Sequence, residues 1–153
     1  PGLGGTHNLL RAVPGDSRSE VVDLLLTGDP IDADRALELG LVQEVVEGSE
    51  LIDHAVRTAR GLAGGAVDVP AFETGRFSLQ IPESLPESNG SGLLLDPEYL
   101  RLLAASILGA SRLPFAEAQA FETAQSGKGF LLPAAAIGVK ALLSGKAPEF
   151  RKG

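Results

Sequence analysis

The feature that most constrains this chain is its punctuation. Apolar runs at helical spacing are each bracketed by a residue that starts a helix and a glycine or proline that ends one. Thr6 is placed to cap a helix over 7–13, with Leu9, Leu10 and Val13 inward and Gly15 beyond its end. SEVVDLLLTG continues as a second helix, too apolar at Val21, Val22, Leu24, Leu25 and Leu26 for a surface element and stopped at Gly28. In DPIDADRALELG, Asp32 is an N-cap, Ile31 and Ala36 have the spacing of a hydrophobic staple, and Gly40 sits past the C-terminus. The valine-rich LVQEVV at 41–46 predicts a short strand.

Ser49 then caps a predicted helix over 50–63, with Leu51, Ile52, Ala55, Val56, Ala59 and Leu62 at helical spacing and Gly64 and Gly65 as its stop. Residues 64–95, with Pro70, Pro82, Pro86 and the SNGSG run, read as a long connector. Asp96-Pro97 opens a helix in the cap-then-proline order, and Tyr99, Leu100, Leu103 and Ile107 form its apolar stripe. Pro114 opens another to about Gln125, where Gly127 and Gly129 are expected to interrupt it. Pro133 begins the last, with Ile137, Ala141 and Leu142 on one side and Gly145 and Pro148 at its end. Six or seven helices and one strand are the expectation.

With 153 residues and 44% hydrophobic side chains, the chain has enough apolar surface for one folded domain. Zero cysteines remove disulfides, thiolate catalysis and cysteine-bound metal, and only two histidines argue against a histidine-built metal site. A net charge of −7 argues against nucleic acid, which demands a basic surface. No run approaches the ~20 apolar residues of a membrane span, and no targeting pattern leads the sequence, so a cytoplasmic location is expected. The charge is uneven: beyond residue 126, Lys128, Lys140, Lys146, Arg151 and Lys152 face Glu149 alone. Such a basic tail suits an anionic small molecule or an acidic neighbour, or is simply a solvated terminus.

Single motifs carry little chemistry. PGLGGT has the glycines of a phosphate-cradling turn but not the GxGxxG spacing. SGKG at 126–129 lacks both the upstream glycine and the following Ser or Thr of a P-loop. Asp29, Asp32 and Asp34 lack the glycine and distal glutamate of a calcium loop, so no metal site is expected. No GxSxG elbow occurs, His7 and His54 fall inside helices, with His54 on an outer face, and Glu117 and Glu122 face differently on one helix.

Three stretches together go further. PGLGGTHNLLRAVPG, LLLTGDPIDADRALELGLVQEVVE and AIGVKALLSGKAPEF closely resemble the enoyl-CoA hydratase/isomerase (crotonase) superfamily, with its PGxGGT turn, its LTGxxIxAxxAxxxGLVxxVV run and its terminal EGxxAFxxxRxPxF element. The resemblance covers the second half of that family's domain. It implies an α/β crotonase fold, a ClpP-like spiral, of which this chain is the mostly α-helical C-terminal half with one short strand. Residues 1–63 would be the second half of the core, 64–95 a connector, and 96–153 a C-terminal helical trimerisation region.

The implied substrates are acyl-CoA thioesters, with coenzyme A entering as part of the substrate and no separate cofactor. The family hydrates 2-enoyl-CoA through an enolate held in an oxyanion hole, with glutamates moving the protons; both glutamates and both backbone donors would precede Pro1. Gly2 matches a glycine whose backbone NH positions the reacting water. Leu142 takes the place of a phenylalanine lining the CoA pocket, often a neighbouring subunit's. Lys146 lies one residue past a CoA-contacting lysine whose own position is Gly145, so Lys146 or Lys140 would bind CoA. Ile137 replaces the family's glutamate, and the 64–95 insertion with LPFAEAQAFE is closer to the hydratase part of multifunctional β-oxidation enzymes. The partners implied are the acyl-CoA, the N-terminal half of the domain, and further copies in a homotrimer or dimer of trimers, with no nucleic acid and no membrane. The chain alone would be inactive. Other acyl-CoA chemistry (isomerisation, thioester hydrolysis) and a non-catalytic helical interaction module are the alternatives.

Overall fold

The computed structural model describes residues 4–151. Among them the chain forms seven α-helices: α1 His7–Ala12, α2 Arg18–Thr27, α3 Ala33–Glu38, α4 Leu51–Ala63, α5 Pro97–Ser111, α6 Phe115–Phe130 and α7 Pro133–Ser144. A 3-10 turn at Gly15–Ser17 joins α1 to α2. The caps at Asp32 and Asp96 act as their sequence implies, their side chains accepting from Arg35 N at 2.8 Å and Tyr99 N at 2.7 Å. No single helix among the described residues is long and apolar enough to cross a membrane.

The core lies where α1, α2 and α5 meet. Leu10, Val13, Val21, Val22, Leu26, Leu100, Leu103, Ala104 and Ile107 form one buried cluster. Full burial of a residue such as Leu10 or Ile107 stabilises the fold by about 1.5–3 kcal/mol. The 64–95 segment is extended against this core: Phe77, Leu79 and Ile81 alternate inward, followed by Leu85 and Leu95. Asp29 accepts Gly90 N with both carboxylate oxygens, tying the SNGSG turn to the end of α2. α5 and α6 form an antiparallel hairpin across which Gly109 meets the Phe121 ring.

Four expectations are corrected. The strand over 41–46 does not form; the described residues hold no strand, only an isolated bridge between Ser88 and Leu94. Leu41 N and Val42 N instead bond to Ala36 O, finishing α3, and no strand among the described residues pairs with the valines. α6 runs through Gly127 and Gly129 to Phe130. Packing outweighs the glycine penalty of roughly 1 kcal/mol per residue there, since Gly129 is buried against Tyr99. Ser49 is not the cap of α4; Glu50 holds that position without a side-chain bond. Leu9 points outward at 39% exposure, and His7 takes the buried place on α1.

Candidate functional site

Glu122 is placed by the face of α6 that also carries Ala118 and Gly129, the spacing of one helical stripe. Its side chain is 1% exposed and enters the Gly-rich turn before α1. Oε1 accepts from Gly4 N at 3.0 Å and Thr6 N at 3.4 Å. Oε2 accepts from Thr6 Oγ1 at 2.5 Å and His7 N at 3.1 Å. A carboxylate only accepts, so this one meets four donors without conflict. It supplies the negative charge that the orphan N–H groups at a helix start favour. Thr6 occupies the N-cap position but does not cap through its own side chain. Gly4 is required twice over: its φ is +91°, and a Cβ would stand 2.5 Å from Asn8 Nδ2 and 2.8 Å from Gln119 Oε1.

The turn therefore is not a free phosphate cradle, because an internal carboxylate already holds its amides. Glu117, by contrast, is exposed, so the two α6 glutamates do face differently.

The network continues inward. Arg11 Nε donates to His7 Nδ1 at 3.0 Å, which leaves Nε2–H of a neutral His7 to meet Gln119 Oε1 at 3.3 Å. Arg11 Nη1 donates to Glu73 O and Gly75 O, and Nη2 to Ala110 O and Leu113 O, at 2.7–3.2 Å. Its guanidinium lies 5.2 Å from the Phe77 ring centre. Desolvation by burial lowers the Arg11 pKa, against the opposing pull of Glu73. The sequence offers His7 and Glu122 only as unsupported acid–base candidates and Thr6 as a cap, and it assigns none of them to this network. The available signal for Glu122 was its place on a stripe with Ala118 and Gly129, whose small side chains mark a close-packed face.

A separate apolar cavity of about 600 Å³ opens between the end of α2, α5, the α6–α7 corner and Phe150. Leu25, Leu95, Tyr99, Leu103, Phe130 and Val139 supply much of its wall. Tyr99 has its pKa raised by desolvation, and Asp96 at the rim is engaged as the α5 cap. The lining holds no pair of acids positioned for proton transfer, and the described residues contain no cluster able to hold a metal. The cavity can receive an apolar group.

Of the sequence-derived site residues, Gly2 lies outside the described residues. Lys140 is exposed on α7 beside a shallow surface depression shared with Phe130, Val139 and Leu143. Leu142 is 82% exposed on the same helix, and Lys146 is exposed just past the Gly145 C-cap. Leu142 and Lys146 line neither that depression nor the large cavity. Ile137 is half-buried on α7, and His54 pairs with Glu44 at 2.9 Å on the outer surface.

Comparison with known proteins finds no family model and no solved structure that matches the chain. Curated relatives do match. The rat protein "Enoyl-CoA hydratase domain-containing protein 3, mitochondrial" is 37% identical over 75 residues, 49% of this chain and 24% of the relative. The "(E)-benzylidenesuccinyl-CoA hydratase" of Thauera aromatica is 45% identical over 65 residues, 42% of this chain and 24% of the relative. A "Probable enoyl-CoA hydratase" of Rhizobium meliloti is 40% identical over 63 residues, 41% of this chain and 23% of the relative. The matched part thus spans about a quarter of the length of these relatives. Over about half of its length the chain is similar to proteins named as enoyl-CoA hydratases.

Proposed function

We propose that this chain is the C-terminal half of a crotonase-fold enzyme that hydrates 2-enoyl-CoA thioesters. The observation that carries this is the similarity of about half the chain to proteins named as acyl-CoA hydratases. In that reaction the water oxygen bonds to C3 while the C2=C3 electron pair shifts through C1 onto the thioester oxygen. Two backbone N–H groups hold the resulting enolate. A glutamate removes the water proton, and C2 then takes up a proton to complete the addition. The acids and the oxyanion donors belong to the remainder of the domain, in keeping with a cavity lining that offers no acid pair.

This chain contributes the rest. Gly2 supplies a backbone NH for the water, and the apolar cavity faces the acyl side. Lys140, Lys146 and Leu142 on the exposed side of α7 meet coenzyme A, the lysines as cations for its phosphates. Further copies of the subunit cover α7 in a trimer or a dimer of trimers.

The test is turnover of crotonyl-CoA, followed by loss of the enoyl-thioester absorbance. The domain assembled from this chain and its N-terminal half should hydrate it, and the 153-residue chain alone should not. Turnover by the chain alone, or a folded assembled domain that hydrates no 2-enoyl thioester, would sink the proposal.

A further inference from the structure

We propose that the apolar cavity between α2, α5 and the α6–α7 corner is a binding site for a linear aliphatic chain longer than a crotonyl group, carried as a free fatty acid or as an acyl thioester. Identifying that chain with the acyl tail of a substrate rests on the hydratase reading above; the site itself rests on described residues of this chain alone. At about 600 Å³ the cavity falls within the roughly 300–1,000 Å³ of sites that enclose small molecules. Leu26, Leu100, Leu103 and Ala134 in its walls are buried, and the exposed Phe130 and Val139 mark its mouth. A seat for another polypeptide would be lined by exposed side chains. The outer face of α7 is such a surface at Leu142 and Leu143, and neither enters the cavity wall.

The polar groups in the wall narrow the ligand class. Asp96 is engaged as the α5 cap, and Thr27 Oγ1 donates to Asp23 O while accepting from Asp29 N. The hydroxyls of Tyr99 and Ser126 remain, and the lining holds no cationic side chain. A sugar, nucleotide or peptide would lose its hydration there without gaining enough partners. A methylene chain needs none. A crotonyl group would leave most of the volume unfilled, so the chain that fits is a medium or long one.

Calorimetric titration of the 153-residue chain with sodium butanoate, octanoate and dodecanoate, and with octanoyl-CoA, reads the site directly. Affinity should rise with length, by up to about fourfold per added methylene, and binding should carry a negative heat-capacity change. Ala135→Phe places a ring in the cavity from α7 and should weaken octanoate by about tenfold or more. Ser126→Leu fills it from α6 and decides the matter should A135F fail to fold. Leu142→Glu with Leu143→Glu removes exposed apolar surface outside the cavity and should leave the affinity within about twofold. Tighter binding of octanoyl-CoA than of octanoate marks the thioester as the source of the chain, and the reverse marks the free acid; both support the site.

Affinity indifferent to chain length would overturn the proposal, as would octanoate binding unchanged in both A135F and S126L. Loss of binding in the L142E/L143E pair would equally overturn it, by placing the chain on the exposed face of α7. Binding should also persist after assembly with the N-terminal half; its loss there would make the cavity a packing seam and not a ligand site. An assembled domain that binds octanoate but hydrates no 2-enoyl thioester overturns the hydratase reading and leaves the site standing. An active domain that binds neither octanoate nor octanoyl-CoA overturns the site alone.

Discussion

Arg11 is 1% exposed, and all five of its N–H groups are used. Four go to carbonyls on the connector and around the end of α5, so one side chain does the work of a small sheet between segments that have no strands. Lysine keeps the charge but offers three donors without the planar fork. Arg11→Lys should therefore strand at least two buried acceptors, each costing about 1–3 kcal/mol. We expect a loss of about 3 kcal/mol, read as a lower urea midpoint at unchanged slope. A loss under ~1 kcal/mol would mean that water replaces the guanidinium at those carbonyls. No spacing rule assigns these bonds to Arg11, and the reason is physical. Its carbonyl partners lie 62–102 residues away, and a backbone carbonyl has no residue type for a spacing rule to find. Glu122 escaped for the same reason, since its donors are backbone amides more than a hundred positions upstream.

At the scale of elements, local chemistry was legible and pairing was not. Asp32 and Asp96 set their helix starts by bonds three residues long, which the sequence displays directly. The 41–46 stretch failed as a strand because a strand exists only against a neighbour, and its first amides were closer to Ala36 O. α6 outran its expected end because a glycine's cost depends on what it touches. That dependence separates two glycines on neighbouring helices. At Gly109 an added Cβ would stand 2.5 Å from the Phe121 ring, across the α5–α6 contact. At Gly127 it would meet nothing within 4 Å. Gly127→Ala should raise stability by about 0.5–1 kcal/mol through helix propensity and a smaller unfolded ensemble. Gly109→Ala gains the same propensity but must displace an aromatic ring, and overpacking of about 1–3 kcal/mol outweighs it. Thermal melts of the two variants should move in opposite directions. Movement in the same direction would show that Phe121 swings aside freely.

Across the whole molecule, the buried cluster serves α1, α2 and α5, while two other helices present apolar faces to solvent. α4 has no buried residue, and Ile52 is 72% exposed beside Leu51 and Val56. At the α6–α7 corner, Leu131 and Leu143 stand at 85% and 83% exposure with Phe130 and Leu142 near them in sequence. Scattered leucines need no explanation, but two such clusters exceed what a chain keeps wet by choice. The basic charge of the tail does not offset this, since Lys140 is the cation on α7 itself. On the hydratase reading, α4 would lie against the N-terminal half and α7 against another subunit, giving each face a different partner. The chain alone has neither and should self-associate, with its sedimentation mass rising above the monomer's as concentration rises. Leu142→Glu with Leu143→Glu should weaken that association through α7, and Ile52→Glu with Val56→Glu through α4. On that reading, only the α4 pair should also block assembly with the N-terminal half. A chain that stays monomeric at every concentration would show that both faces tolerate water. An α7 pair that blocks assembly with the N-terminal half would reverse the assignment of the two faces.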